Sequence, residues 1–226
     1  GWNNYGQLGI GSRSSQLTPV HVGTSNNWIQ VENSSTSTYA TNTDGQLFTW
    51  GQNDFGQLGY VDSYTFTKNV SSPVQVGTAN NWVEIAGANL YSAGIKDDGT
   101  LWTWGYNRYG QLGQENIKDY SSPTQVGSLK TWNAVTCLQN SLLATNINGE
   151  LYGVGYNETG NLAIANGMGY YKNVTNRISP VQIGTDFNWK SVVANPSGKF
   201  AMALKTDGTL WAWGKNDHGQ LAHEDS

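Results

Sequence analysis

A thirteen-residue stretch recurs along this chain, and its recurrence restricts the fold to repeat architectures. Residues 101–113 read LWTWGYNRYGQLG, residues 47–59 LFTWGQNDFGQLG, residues 151–163 LYGVGYNETGNLA and residues 210–222 LWAWGKNDHGQLA. Residues 1–9, GWNNYGQLG, are the same motif without its front. The motif glycines Gly1, Gly51, Gly105, Gly155 and Gly214 lie 50, 54, 50 and 59 residues apart. Two further markers keep step: Pro19, Pro73, Pro123 and Pro180, each followed nine residues later by Trp28, Trp82, Trp132 and Trp189. Nearly all the length variation falls between Gln-Leu-Gly and the proline. A fixed part and a variable part in each unit describe a rigid scaffold that carries loops of different length.

The fixed parts read as strands. Asp44-Gly45, Asp98-Gly99, Asn148-Gly149 and Asp207-Gly208 each separate two apolar runs. A two-residue step of this kind signals a hairpin in which both turn residues take positive φ. Leu101-Trp102-Thr103-Trp104 shows the alternation of a half-buried strand, and Val74-Gln75-Val76 and residues 82–86 read as two more. Together these make about four short strands per ~50 residues, the size of one propeller blade. No stretch carries a capped 3.6-residue period, so no helix is expected.

The combination of W-G-x-N-x-x-G-Q-L-G, S-x-P-x-x-V and D-G-x-L-x-x-W-G resembles the RCC1 (regulator of chromosome condensation) repeat, and the resemblance covers essentially the whole chain. It implies an all-β propeller of four-stranded antiparallel blades, seven-bladed in well-known members. The units fall at about 1–50, 51–104, 105–154 and 155–213, with a further one beginning over 214–226. About four blades are present where seven would need roughly 350 residues. The expectation is therefore part of a longer propeller, ahead of a ring closed by a second copy or a rarer small propeller. A plant member of the family uses clustered tryptophans as an ultraviolet photoreceptor through a Gly-Trp-Arg-His-Thr stretch. No such stretch occurs here, and the repeated tryptophans are expected to pack between blades.

Charged residues make up 12% of the chain and the net charge is -4, with no basic run. A nucleic-acid surface needs clustered Lys and Arg, so none is expected. No apolar run is long enough for a membrane helix. The surface is instead rich in Asn, Gln, Ser and Thr, a composition common in secreted and virion proteins. The single cysteine, Cys137, lies in an apolar run and reads as a buried structural thiol.

No nucleophile, base and orienting acid stand together, and most carboxylates are turn aspartates, so no catalysis is expected. His218 falls in the slot of Tyr5, Phe55 and Tyr109, read as an aromatic packing position. With His223, Glu224 and Asp225 it lacks metal-ligand spacing, so no metal or other cofactor is expected. The candidate binding residues lie in the two longest loops. They are Tyr64, Phe66 and Lys68 in one, and Tyr170, Tyr171, Lys172 and Arg177 in the other. Both loops precede the same proline and so project from equivalent points, and rigid aromatics beside a cation are what binding hot spots favour.

The function expected is a non-catalytic module that presents loops to a protein or glycan partner, in assembly with further blades or other subunits. The alternative, drawn from the resemblance, is guanine-nucleotide exchange on a small GTPase. Family repeats usually carry histidine on the second strand, where this chain has Ser37, Tyr91, Ser141 and Phe200. No exchange residue can be matched by motif.

Overall fold

The computed structural model describes residues 1–60, 68–157, 159–164 and 176–222. Fifteen strands form four antiparallel sheets, each built from consecutive strands. The first holds β1 (Trp28–Asn33), β2 (Ser37–Asn42), β3 (Leu47–Gly51) and β4 (Val70–Gln75). The second holds β5 (Trp82–Gly87), β6 (Tyr91–Lys96), β7 (Leu101–Gly105) and β8 (Tyr120–Gln125). The third holds β9 (Trp132–Cys137), β10 (Ser141–Asn146), β11 (Leu151–Gly155) and β12 (Arg177–Gln182). The fourth holds β13 (Trp189–Ala194), β14 (Phe200–Lys205) and β15 (Leu210–Gly214). No helix occurs among the described residues.

Sheets and sequence units are out of phase by one strand. The unit over 51–104 contains β4 to β7, yet β4 pairs with β3 and completes the preceding sheet, with Phe48 opposite Gln75 and Thr49 opposite Val74. The same holds for β8 on β7 and β12 on β11. Each of these strands begins well before its proline, at Val70, Tyr120 and Arg177, and stops at the glutamine after it. Pro73, Pro123 and Pro180 therefore sit on edge strands, where the missing N–H costs no ladder bond. The residue after each strand still donates inward: Val76 N–H to the Leu47 carbonyl, Val126 to Leu101 and Ile183 to Leu151.

The apolar core lies between sheets. One cluster joins Tyr39, Leu47 and Val76 to Trp82, Ile85 and Trp104; a second joins Tyr91, Ile95 and Leu101 to Trp132, Val135 and Leu142; a third joins Leu143, Leu151 and Ile183 to Trp189 and Val192. The repeated tryptophans are the large pieces of this packing, with Trp82 and Trp132 3% exposed. Their edge-to-face partners are Trp102 and Trp104 for Trp82, and Tyr152 for Trp132. Lys96 caps Trp82 and Trp102 at 4.9 and 4.0 Å from their ring centroids. Cys137 is buried in the second cluster, and burial pushes its thiol up to about 12.

The hairpins differ from the sequence expectation. Only the glycine takes positive φ (Gly45 71°, Gly99 75°, Gly149 76°, Gly208 86°), and the preceding Asp or Asn does not. Gly99 N–H donates to Lys96 and Lys96 N–H to Thr100 across a three-residue loop. This is a tight turn closed by a left-handed residue that forms a bulge, and it repeats in all four hairpins. In three of the four a neighbouring sheet docks on it. The N–H of Trp82, Trp132 and Trp189 donates to the carbonyl of Gly45, Gly99 and Gly149, at 3.0, 3.1 and 3.0 Å. A Cβ at these glycines would lie 2.2 Å from the carbonyl oxygen of Asn80, Lys130 or Phe187. The hairpin is thus shaped to latch the next sheet.

At the other end of each sheet the G-x-N-x-x-G-Q-L turn closes on itself. The Asn side-chain oxygen accepts the N–H of the leucine five residues on, in all five copies (Asn3–Leu8, Asn53–Leu58, Asn107–Leu112, Asn157–Leu162, Asn216–Leu221). Asn107 also donates to the Asn116 carbonyl at 2.9 Å. The Gln oxygen accepts the N–H two residues earlier, as Gln111 does from Tyr109 at 3.0 Å. Trp50 and Trp104 then donate to the carbonyls of Gln7 and Gln57, both at 2.9 Å. The third copy departs, because Val154 replaces that tryptophan.

Gly99→Ala combines a left-handed alanine with a backbone collision and should cost about 3 kcal/mol or more. Gly208→Ala shares the φ, but its Cβ would meet nothing within 4 Å, so it should cost about 1 kcal/mol. Chemical denaturation of the two variants tests the latch: equal losses would show that backbone strain alone sets the requirement. Asn107→Ala leaves the buried Leu112 N–H without an acceptor and should cost about 2 kcal/mol, lowering Tm by roughly 4–8 °C in calorimetry.

Candidate binding face

Because β1 and β3 end where β2 and β4 begin, two sets of loops share one end of the sheets. The short inner loops follow the first strand of each sheet, and the long outer loops follow the third. The inner loops converge: Ser35 Oγ lies 3.3 Å from Ser197 Oγ, joining the first and fourth sheets. Ser35 N–H donates to Asn89 Oδ1 at 3.3 Å, and Gln139 N–H to the Gly198 carbonyl at 3.2 Å. The side chains at residues 34–36, 89 and 139–140 are uncharged hydroxyls and amides.

The outer loops begin with the self-closed turn. Its Asn and the Gln side-chain oxygen are taken up by internal bonds, and two of its three variable positions carry aromatic side chains outward. These positions hold Phe55, Tyr106, Tyr109 and Tyr156, which touch in series across three sheets. Ring centroids are 5.0 Å apart for Phe55–Tyr106, 6.3 Å for Tyr106–Tyr109 and 5.3 Å for Tyr109–Tyr156, all edge to face. Lys199 Nζ ends the series, 5.8 Å from the Tyr156 ring. Phe55 is 36% exposed and the three tyrosines are half-buried. Partial burial, first, and neighbouring Tyr109, second, raise the Tyr106 hydroxyl above its ordinary pKa. Trp2 and Tyr5 form the same edge-to-face contact at 5.4 Å in the first copy.

Of the residues expected to bind, Tyr64, Phe66, Tyr170, Tyr171 and Lys172 lie outside the described residues. Lys68 is exposed and lines a cleft of about 440 Å³ with Tyr60, Asn69, Val70, Ser71 and Val74. Arg177, assigned to a loop, instead opens β12, half-buried and opposite Gly155. The slot before Gly-Gln-Leu is an aromatic packing position for Tyr5, Phe55 and Tyr109, at the surface rather than in the core, and His218 in the same slot is exposed. The signal for the ladder was present as aromatics recurring at the variable positions of an otherwise fixed turn.

Two carboxylates escaped notice because they lie in strands rather than turns. Glu32 on β1 and Glu84 on β5 are both held above the usual carboxylate range, chiefly by burial. Glu84 is raised further by the Glu32 charge, and a backbone hydrogen bond from Val135 opposes this. Among the described residues, no group of three His, Cys, Asp or Glu is placed to hold a metal.

Residues 1–40, 44–95 and 98–141 match the regulator of chromosome condensation (RCC1) repeat, and residues 189–220 match a second form of the same repeat. The chain is 28% identical over 225 residues to the ultraviolet-B receptor UVR8 of Arabidopsis thaliana, covering 98% of this chain and 49% of that protein. It thus spans about half the length of that curated relative. The structure of Prp20p from Saccharomyces cerevisiae, described with its binding properties to Gsp1p and histones, superposes with a TM-score of 0.76 at 20% identity. That match covers 90% of this chain and 49% of Prp20p. Human WBSCR16 superposes with a TM-score of 0.73 at 20% identity, covering 94% of this chain and 55% of the other. With the repeat matched over more than half its length on four β-propeller blades, the chain belongs to the regulator of chromosome condensation (RCC1) repeat family.

Proposed function

We propose that this chain is a non-catalytic binding module whose loop-bearing face engages a protein or glycan partner. The observation that carries this reading is the division of labour within the outer turn. Its Asn and Leu close every copy internally, while its variable positions place a continuous aromatic series on the surface. Aromatic rings held rigid by one another lose little conformational entropy on binding, which is what contact hot spots require. The protein-binding properties described for Prp20p are of the same kind. The blades represented here would act together with the further blades that a full propeller of this family contains.

Nucleotide exchange on a small GTPase is the weaker reading. Three of the four positions that hold histidine in many family members are committed inside the blades. Ser37 Oγ donates to the Gln52 carbonyl at 2.9 Å. The Tyr91 hydroxyl reaches into the third sheet, where its one proton is shared between the carbonyls of Leu138 and Ser141, and Ser141 Oγ accepts from Asn161.

Affinity capture with the immobilised chain tests the module. The double variant Phe55→Ala/Tyr109→Ala should lose the captured partner, and Lys130→Ala, at the hairpin end, should keep it. Equal retention by both would remove the face from the argument. Release of fluorescent GDP from a purified small GTPase should proceed at its intrinsic rate in the presence of the chain. Acceleration would overturn the non-exchange reading.

A further inference from the structure

The rings at the two ends of the blades are treated differently. At the hairpin end, Trp82 and Trp102 are covered by Lys96, and Trp189 and Trp211 by Lys205 at 4.7 and 4.1 Å. Lys205 is fixed in turn by Asp186 at 2.7 Å. At the loop end, the series Phe55, Tyr106, Tyr109 and Tyr156 has a cation over its last ring alone among the described contacts, and it contributes to none of the three core clusters. Phe55, Tyr106 and Tyr109 keep part of their surface exposed, which a ligand can reach.

Its surroundings state the ligand's chemistry. The inner loops beside it offer Ser35, Asn89 and Asn140, neutral groups that donate and accept hydrogen bonds. An anionic ligand would call for clustered cations, and the row carries Arg108 and Lys199 at separate places, offset by Asp54 and Asp119 in the same loops. A ligand suited to this face is uncharged, rich in hydroxyls, and has apolar C–H faces. Such C–H groups carry slight positive charge and meet the negative face of an aromatic ring. Resting on the reading of this face as a binding surface, we propose that the Phe55–Tyr106–Tyr109–Tyr156 series is a platform for a neutral oligosaccharide. Sugar rings stack along the aromatics, and their hydroxyls bond the amides and hydroxyls of the inner loops. The rings follow one another at 5.0 to 6.3 Å, each turned edge to face on the next, so a longer chain reaches more than one of them and affinity should grow with the number of sugar units.

The test is isothermal titration and tyrosine-tryptophan fluorescence with four neutral hexasaccharides: cello-, malto-, xylo- and chitohexaose. Decaproline serves as a comparison, because a polyproline helix also docks on aromatic-lined grooves. The expected result is binding of at least one sugar, insensitive to salt between dilute and molar NaCl, and stronger for the hexamer than for the dimer. Tyr109→Ala should weaken it about tenfold, and Tyr109→Phe, which keeps the ring, should not. The Tyr109 backbone N–H, not its side chain, holds the turn, so both variants should melt like the parent. A variant that melts lower is replaced by Phe55→Ala, whose ring is exposed. Absence of binding to all four sugars, binding unchanged by loss of the ring, or binding of decaproline in their place overturns the proposal. If sugars fail while a captured protein still depends on Phe55 and Tyr109, the binding face stands and its glycan ligand falls.

Discussion

The fold depends on one contact made at every junction between blades: the N–H of the first tryptophan in a sheet bonded to the carbonyl of the hairpin glycine before it. A single bond of this type is worth only about 1 kcal/mol net. Its importance is geometric. It forces two backbones within a distance no side chain tolerates at the glycine, and it fixes where the tryptophan enters. The ring then packs against the next hairpin strands and seals the apolar space between sheets. Because these contacts run between neighbours, stability is distributed along the series, as in other repeat arrays. The one-strand offset adds to this, since each sequence unit lends its first strand to the sheet before it.

The recurrence of the motif and the Asp-Gly steps made the blades legible before any coordinates, because period-2 alternation and fixed spacing are local properties. The offset was not legible. Val74-Gln75-Val76 looks the same whether it opens one sheet or closes another, and strand pairing is decided by contacts distant in sequence. The turn type was not legible either. Asp-Gly fits a two-residue turn with positive φ at both positions. Here the chain uses a longer loop in all four hairpins, and in three of them the glycine carbonyl accepts from the incoming Trp82, Trp132 or Trp189. The Gly208 hairpin keeps this turn without such a bond, so the turn belongs to the repeat and the tertiary bond makes use of it.

The binding face was only half legible. Long loops with mixed aromatics and cations attract attention in a sequence, and they drew it away from the turn itself. Phe55, Tyr106, Tyr109 and Tyr156 stand in the most regular part of the repeat, where regularity suggests core. The structure separates the two roles by position. Asn107 and Leu112 are wholly buried, and Phe55, two residues after the buried Asn53, is exposed. Contact between Phe55 and Tyr106, or between Tyr109 and Tyr156, joins residues about fifty apart, so no local pattern announces a continuous row. Glu32 and Glu84 were missed likewise, since only inter-sheet packing brings their charges together.

The same separation explains how one scaffold can carry different faces. The copy over residues 151–163 has Val154 where the others have tryptophan and Ala163 in place of the last motif glycine, at a φ of 51°. Both departures leave the Asn157–Leu162 closure intact. The turn is therefore held by its own hydrogen bonds rather than by the residues it displays, and the displayed positions are free to vary. With 12% charged residues and a net charge of -4, such a face exerts little long-range attraction, and encounter with a ligand gains little from steering. Affinity must then come from contact. Contact is efficient only where the surface is ordered in advance, which is what rings buttressed edge to face on a self-closed turn provide.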